Sequence, residues 1–104
     1  MSVEDDLATV TRLLVSQDSI PVQLHMRQGL DEERYAELVL AIERLTERFR
    51  NSADVPKSLA LAFVDVAAAF TFPEGVYPLR ESERIEDAGH ELSYLGQTLF
   101  SDED

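Results

Sequence analysis

Apolar residues recur at alternating steps of four and three along most of this chain, the spacing of helices with one buried face. Val3, Leu7, Val10 and Leu14 form the first stripe. Ser2 precedes it as an N-cap, and Glu4 and Asp5 follow in the first turn, where carboxylates favour the positive end of a helix. Ile20-Pro21 interrupts the pattern, because proline disfavours helix at the residue before it and donates no amide hydrogen. A short helix or a pair of turns is expected over residues 22–28, closed by Gly29 in a C′-like position.

Asp31 caps the strongest predicted helix, with Leu38, Ile42, Leu45 and Phe49 as its core stripe and Tyr35, Val39 and Thr46 widening it. The remaining positions alternate in charge, and Arg34/Glu37, Arg44/Glu47 and Glu47/Arg50 are spaced to pair along the helix for a few tenths of a kcal/mol each. After a turn at residues 51–54, Asp54 or Val55 caps the next helix, with Pro56 in its first turn. Residues 59–72 are nearly all apolar, which predicts a helix buried on most sides in the middle of a bundle. Its alanines permit close neighbours, and Phe63 and Phe70, seven apart, fill one seam. Pro73, Gly75 and Pro78 exclude regular helix over residues 73–80. A last helix is expected from about Ser82, with Ile85, Ala88, Leu92, Leu95 and Leu99 as its core. No strand-like alternation of useful length and no internal repeat occurs. The expected fold class is all-α: a compact bundle of four main helices plus one short helix, a single domain over residues 1–104, with the acidic tail 101–104 frayed.

Composition narrows the function classes. Asp and Glu number 21 against 9 Lys and Arg, a net charge of −12, while the 44% hydrophobic content is that of a folded protein. Such a surface repels nucleic acid and membranes and attracts basic partners. The absence of cysteine removes disulfides, thiol nucleophiles and cysteine-based zinc sites. The acidic N-terminus lacks the basic and apolar regions of a signal peptide, so a cytoplasmic location is expected. No nucleophile elbow, phosphate-binding glycine loop or His-Glu-x-x-His occurs, so the chain is read as a non-enzyme without metal or cofactor.

Four features are candidate sites. Asp65, the one charge inside the apolar segment, is either a buried functional carboxylate or part of a thin exposed stripe; the exposed stripe is favoured, because unpaired buried Asp is rare. His90 has Glu86 and Tyr94 one turn away on either side but lacks the convergent ligands of a metal site, so it is read as an exposed helical histidine. Gly89, Ser93 and Gly96 edge the last helix, and close packing against the alanine-rich segment is the favoured explanation. A partner's close approach there is the rival. The loop 72–79 is the leading functional candidate: it joins an aromatic and a rigid backbone to nearby acids, the composition of an interface anchor ringed by polar groups. The rival reading is a helix connector whose Phe72 and Tyr77 tuck into the core; of the two, Tyr77 is the one expected to stay at the surface, where its hydroxyl tolerates water. From residue 74 to residue 91, six acids face only Arg80 and Arg84.

The helix order over residues 35–95, the apolar segment, and the short proline-bearing loop leading into the last helix resemble small acidic helical bacterial immunity proteins, in particular those paired with type VI secretion effectors. Tyr77-Pro78 lacks the doubled tyrosine and preceding aspartate found in colicin-type immunity bundles. The resemblance implies stoichiometric inhibition: an acidic surface docks beside the active site of a basic toxin and excludes its substrate. The partner-binding residues expected on this reading are Glu74, Tyr77, Glu81, Glu83 and Asp87. The alternatives are a helical adaptor or regulatory subunit, possible as a homodimer through the edge of Gly89 and Gly96, and a DNA-mimic inhibitor.

Overall fold

The computed structural model describes residues 2–101, and within them the chain is all helix and connection. The helices are α1 (Val3–Leu14), α2 (Ile20–His25), α3 (Glu32–Arg48), α4 (Lys57–Phe63), α5 (Val66–Ala69) and α6 (Leu79–Leu99). The tail expected to fray lies outside the described residues from residue 102 onward.

Helix starts follow side-chain chemistry. The Ser2 hydroxyl accepts from the Asp5 amide at 3.1 Å, and the Asp5 carboxylate accepts from the Ser2 amide, closing a capping box. Asp31 accepts from the amides of Glu33 and Arg34. Ser19 caps α2, which begins at Ile20 and holds Pro21 in its first turn. Pro21 therefore opens this helix instead of merely ending the one before, because a proline in the first turn sacrifices no helical hydrogen bond. Likewise α6 starts at Leu79, just after Pro78 and three residues earlier than expected.

The core is continuous. Val10, Leu13 and Leu14 of α1 pack on Leu38, Ala41, Ile42 and Leu45 of α3, while α3 and α5 both pack on α6 through Ile85, Ala88 and Leu92. At least eight of these residues expose no measurable surface, so truncating any of them removes buried apolar area and leaves a cavity.

The apolar segment departs from expectation. It is not one helix in the centre of a bundle but two short ones, broken at Val64 and Asp65. The Val64 amide turns back tightly to the Leu61 carbonyl, and Asp65 leaves helical geometry at φ −118° and ψ 28°. Leu59, Val66 and Phe70 face inward, whereas Ala60, Leu61, Val64, Asp65, Ala67 and Ala68 face out. Asp65 is thus exposed, as favoured from the sequence, and so is Ser58, but Ala62 and Ala69, expected on the same exposed stripe, are half-buried against the core.

Phe63 and Phe70 do share one seam, and the seam is cut into α6. A Cβ added to Gly89 would stand 2.6 Å from the Phe70 Cβ, and one added to Gly96 would stand 2.8 Å from the Phe63 ring. Two phenylalanines seven residues apart therefore meet two glycines seven residues apart on an antiparallel helix. Both glycines are buried against these rings, the internal packing favoured from the sequence, while Ser93 between them is half-buried.

Candidate protein-interaction surface

The loop between α5 and α6 doubles back on itself. Gly75, at φ +94°, takes the left-handed conformation that a glycine adopts at no steric cost, and the Val76 amide donates to the Pro73 carbonyl. The turn delivers Tyr77 into the molecule, not to its surface: the residue is only 9% exposed. Its hydroxyl donates to the Leu24 carbonyl at 2.6 Å and accepts from the Gly29 amide at 3.3 Å. The ring stands edge-on to Phe72 at 5.5 Å, and Phe72 meets His25 at 5.2 Å. The expectation of a surface Tyr77 is thus corrected. The phenol gives the Gly29 amide an acceptor and adds a second donor to the Leu24 carbonyl, which already accepts from the Arg27 amide, while burying its ring. Tyr77 ties α2 to the start of α6.

The four acids expected beside it separate. Glu74 is exposed at the loop tip. Glu81 is half-buried, with its carboxylate so close to Gly29 that a Cβ there would fall 2.8 Å from Oε1. Glu83 and Asp87 come together, one turn apart on the outward side of α6. His90 and Tyr94 continue the same stripe, and Tyr94 is 67% exposed. The anchor-like aromatic on this face is therefore Tyr94. It could have been found from spacing, since it falls outside the buried positions 85, 88, 92 and 99.

The arginines explain why this stripe is so acidic. Arg44 reaches across from α3 to the buried Asp6 of α1 at 2.9 Å, and Arg12 pairs with Glu37 at 2.6 Å. Arg34 donates to the Asp18 carbonyl at 2.6 Å. Of the three pairs expected along α3 only Glu47 and Arg50 meet, at 2.7 Å. The other arginines lash α1 and the following turn to α3. Arg84 is likewise drawn away from the acids around it: its guanidinium grips Glu32 with two bonds of 2.8 and 2.9 Å and lies 5.2 Å from the centre of the Tyr35 ring. The bidentate bond holds the Glu32 carboxyl below its ordinary value of 4.5 and raises Arg84 in turn. The Tyr35 hydroxyl is shared between the Ala88 carbonyl and the Glu91 carboxylate; burial, with that carboxylate second, pushes its pKa up.

With Arg84 committed to α3, Glu83, Asp87 and Glu74 form no ion pair among the described residues. The outward stripe of α6 thus runs from exposed Arg80 through two exposed carboxylates to an exposed tyrosine. Among the described residues no group of three His, Asp or Glu side chains is placed to hold a metal ion, and no helix is long and apolar enough to cross a membrane.

The chain matches no protein-family model, and no curated protein or solved structure shows significant similarity to it.

Proposed function

We propose that this protein works by binding, as an immunity protein that blocks a basic toxin by docking the outward face of α6 against it. The observation that supports this reading is the pairing of exposed Glu83 and Asp87, which form no ion pair among the described residues, with exposed Tyr94 on one helical stripe. Aromatic anchors among polar groups are the usual composition of interface hot spots, and unpaired carboxylates steer a cationic partner into place. The stripe sits on the longest helix, which is fixed by the glycine seam on one side and the Arg84–Glu32 clasp on another. A preorganised face of this kind loses little entropy on binding. Glu74 lies at the loop tip just before α6 and extends the acidic surface; Tyr77 acts from within by holding that loop in place.

Co-expression with the product of the neighbouring reading frame tests the reading. The wild-type chain is expected to restore growth of cells producing a toxic partner, and the variant E83K/D87K to lose that protection while remaining folded. Full protection by the charge-reversed variant excludes this face. A neighbouring product that neither poisons cells nor binds removes the support for toxin neutralisation.

A further inference from the structure

We propose that the outward face of α4 pairs two copies of this chain about a twofold axis passing beside Leu61. Leu61 and Val64 are 71% and 67% exposed. Val15, 57% exposed, stands across a groove of about 280 Å³ that Pro21 and Ala62 help to line. Single exposed apolar residues are ordinary, but three around one groove form a patch of the kind that marks an interaction site. This surface is separate from the stripe on α6, so the pairing does not depend on the function proposed above.

Charge complementarity identifies the occupant. Lys57 and Leu61 stand one turn apart on α4, and exposed Asp65, just past the end of that helix, lines the same groove as Leu61 and Val64. The cation and the anion thus flank Leu61, one before it and one after. Among the described residues neither forms an ion pair, and Asp65 makes no capping hydrogen bond to α5. An identical segment laid antiparallel across the first, with Leu61 against Leu61, sets each Lys57 opposite the partner's Asp65. A twofold contact demands this self-complementarity, in which the residue that one copy offers is the residue the other receives. Ala60, exposed beside Leu61, leaves room for the two backbones to approach.

The net charge of −12 does not forbid the contact. Lys57 and Asp65 make the patch itself neutral. The acidic stripe of α6 points the other way: Asp87 is two residues from Gly89, about 200° around the helix, and Gly89 faces Phe70. The molecule is 20 Å across at its narrowest, against a screening length of about 8 Å at physiological salt. The patch is smaller than the roughly 800 Å² per partner of a standard stable interface, so the dimer is a weak one that forms with rising concentration.

Sedimentation velocity on the full chain, from low micromolar to several hundred micromolar, tests this. The mass is expected to rise from 11.7 kDa towards twice that value. L61E should stay monomeric with an unchanged helical circular dichroism spectrum. K57E and D65K should each weaken the dimer roughly tenfold, and the double variant K57E/D65K should recover most of that loss, since the pair is restored in reverse. A wild-type chain that remains monomeric throughout overturns the proposal. So does an L61E variant that still dimerises, or a double variant no tighter than either single one; those results assign the patch to a different occupant.

Discussion

Phe70 lies directly against Gly89, so close that a methyl group on that glycine would stand 2.6 Å from the Phe70 Cβ. Seven residues back along the segment, Phe63 repeats the arrangement against Gly96. The two contacts join the broken α4–α5 segment to the inner side of α6, and the long helix can then offer its outer side to solvent.

Glycine at position 89 is therefore worth its helical cost. Gly89→Ala gains about 1 kcal/mol of helix propensity but forces a close-packed neighbour to move, which costs about 1–3 kcal/mol. Phe70 is fully buried and its Cβ is anchored to the backbone, so the clash should win. Urea denaturation should show a net loss of stability for Gly89→Ala. Gly96→Ala should fall within about 0.5 kcal/mol of wild type, because the half-buried Phe63 ring can swing aside. Equal effects at the two glycines would show that the seam is looser than the geometry states.

Tyr77→Phe separates structure from binding. The substitution keeps the ring and removes the hydroxyl that serves both the Leu24 carbonyl and the Gly29 amide. The Leu24 carbonyl keeps the Arg27 amide, so the half-buried Gly29 amide is the group that loses its partner; that costs about 1 kcal/mol, and the melting temperature should drop accordingly. Affinity for a protein partner at the α6 stripe should not change. A variant with wild-type stability and lost binding would restore Tyr77 to the interface.

Asp6 and Arg44 should respond unequally to mutation. Asp6 is 5% exposed, whereas Arg44 extends into solvent. Arg44→Met strands a buried carboxylate, but Asp6→Asn leaves only a solvated guanidinium. The urea midpoint should therefore fall further for Arg44→Met than for Asp6→Asn. The reverse order would mean that Asp6 is solvated in solution.

The Arg84–Glu32 clasp sets a pH dependence. Glu32 titrates below its ordinary 4.5 in the folded chain, because Arg84 holds the carboxylate. Its stabilising effect is therefore present above that value and is lost as pH falls through the lowered folded one. Glu32→Gln should be less stable than wild type at neutral pH, and the gap should close in acid. A gap constant from neutral to strongly acidic pH would indicate that the clasp contributes no charge-dependent stability.

The helical periodicity made much of this fold legible. Ser2 and Asp31 cap the helices they were expected to cap, and Val10, Leu38, Ile42, Leu45, Ile85 and Leu92 are buried as their spacing required. The seven-residue spacing of Phe63 and Phe70 likewise anticipated a shared seam. What local pattern could not show were the partners distant in sequence. Tyr77 is buried because Leu24, 53 residues earlier, offers it a carbonyl. Arg44 ignores the acid one turn away for Asp6, 38 residues back. The break at Val64 and Asp65 carries no proline or glycine to announce it, and the exposed face of α4 follows from that break. For the candidate surface, Glu83 and Asp87 were legible from charge density alone. The exposure of Tyr94 follows from spacing, since it falls outside the core stripe of Ile85, Ala88, Leu92, Leu95 and Leu99.

The decisive measurement is the association rate of this protein with the basic toxin proposed as its partner, followed by stopped flow as salt is raised, for wild type and for E83K/D87K. A docking face built on unpaired carboxylates should give a fast wild-type rate that falls steeply with salt, and a charge-reversed rate at least tenfold slower at low salt. Matching rates for the two proteins at every salt concentration would contradict the assignment of partner binding to the outward face of α6.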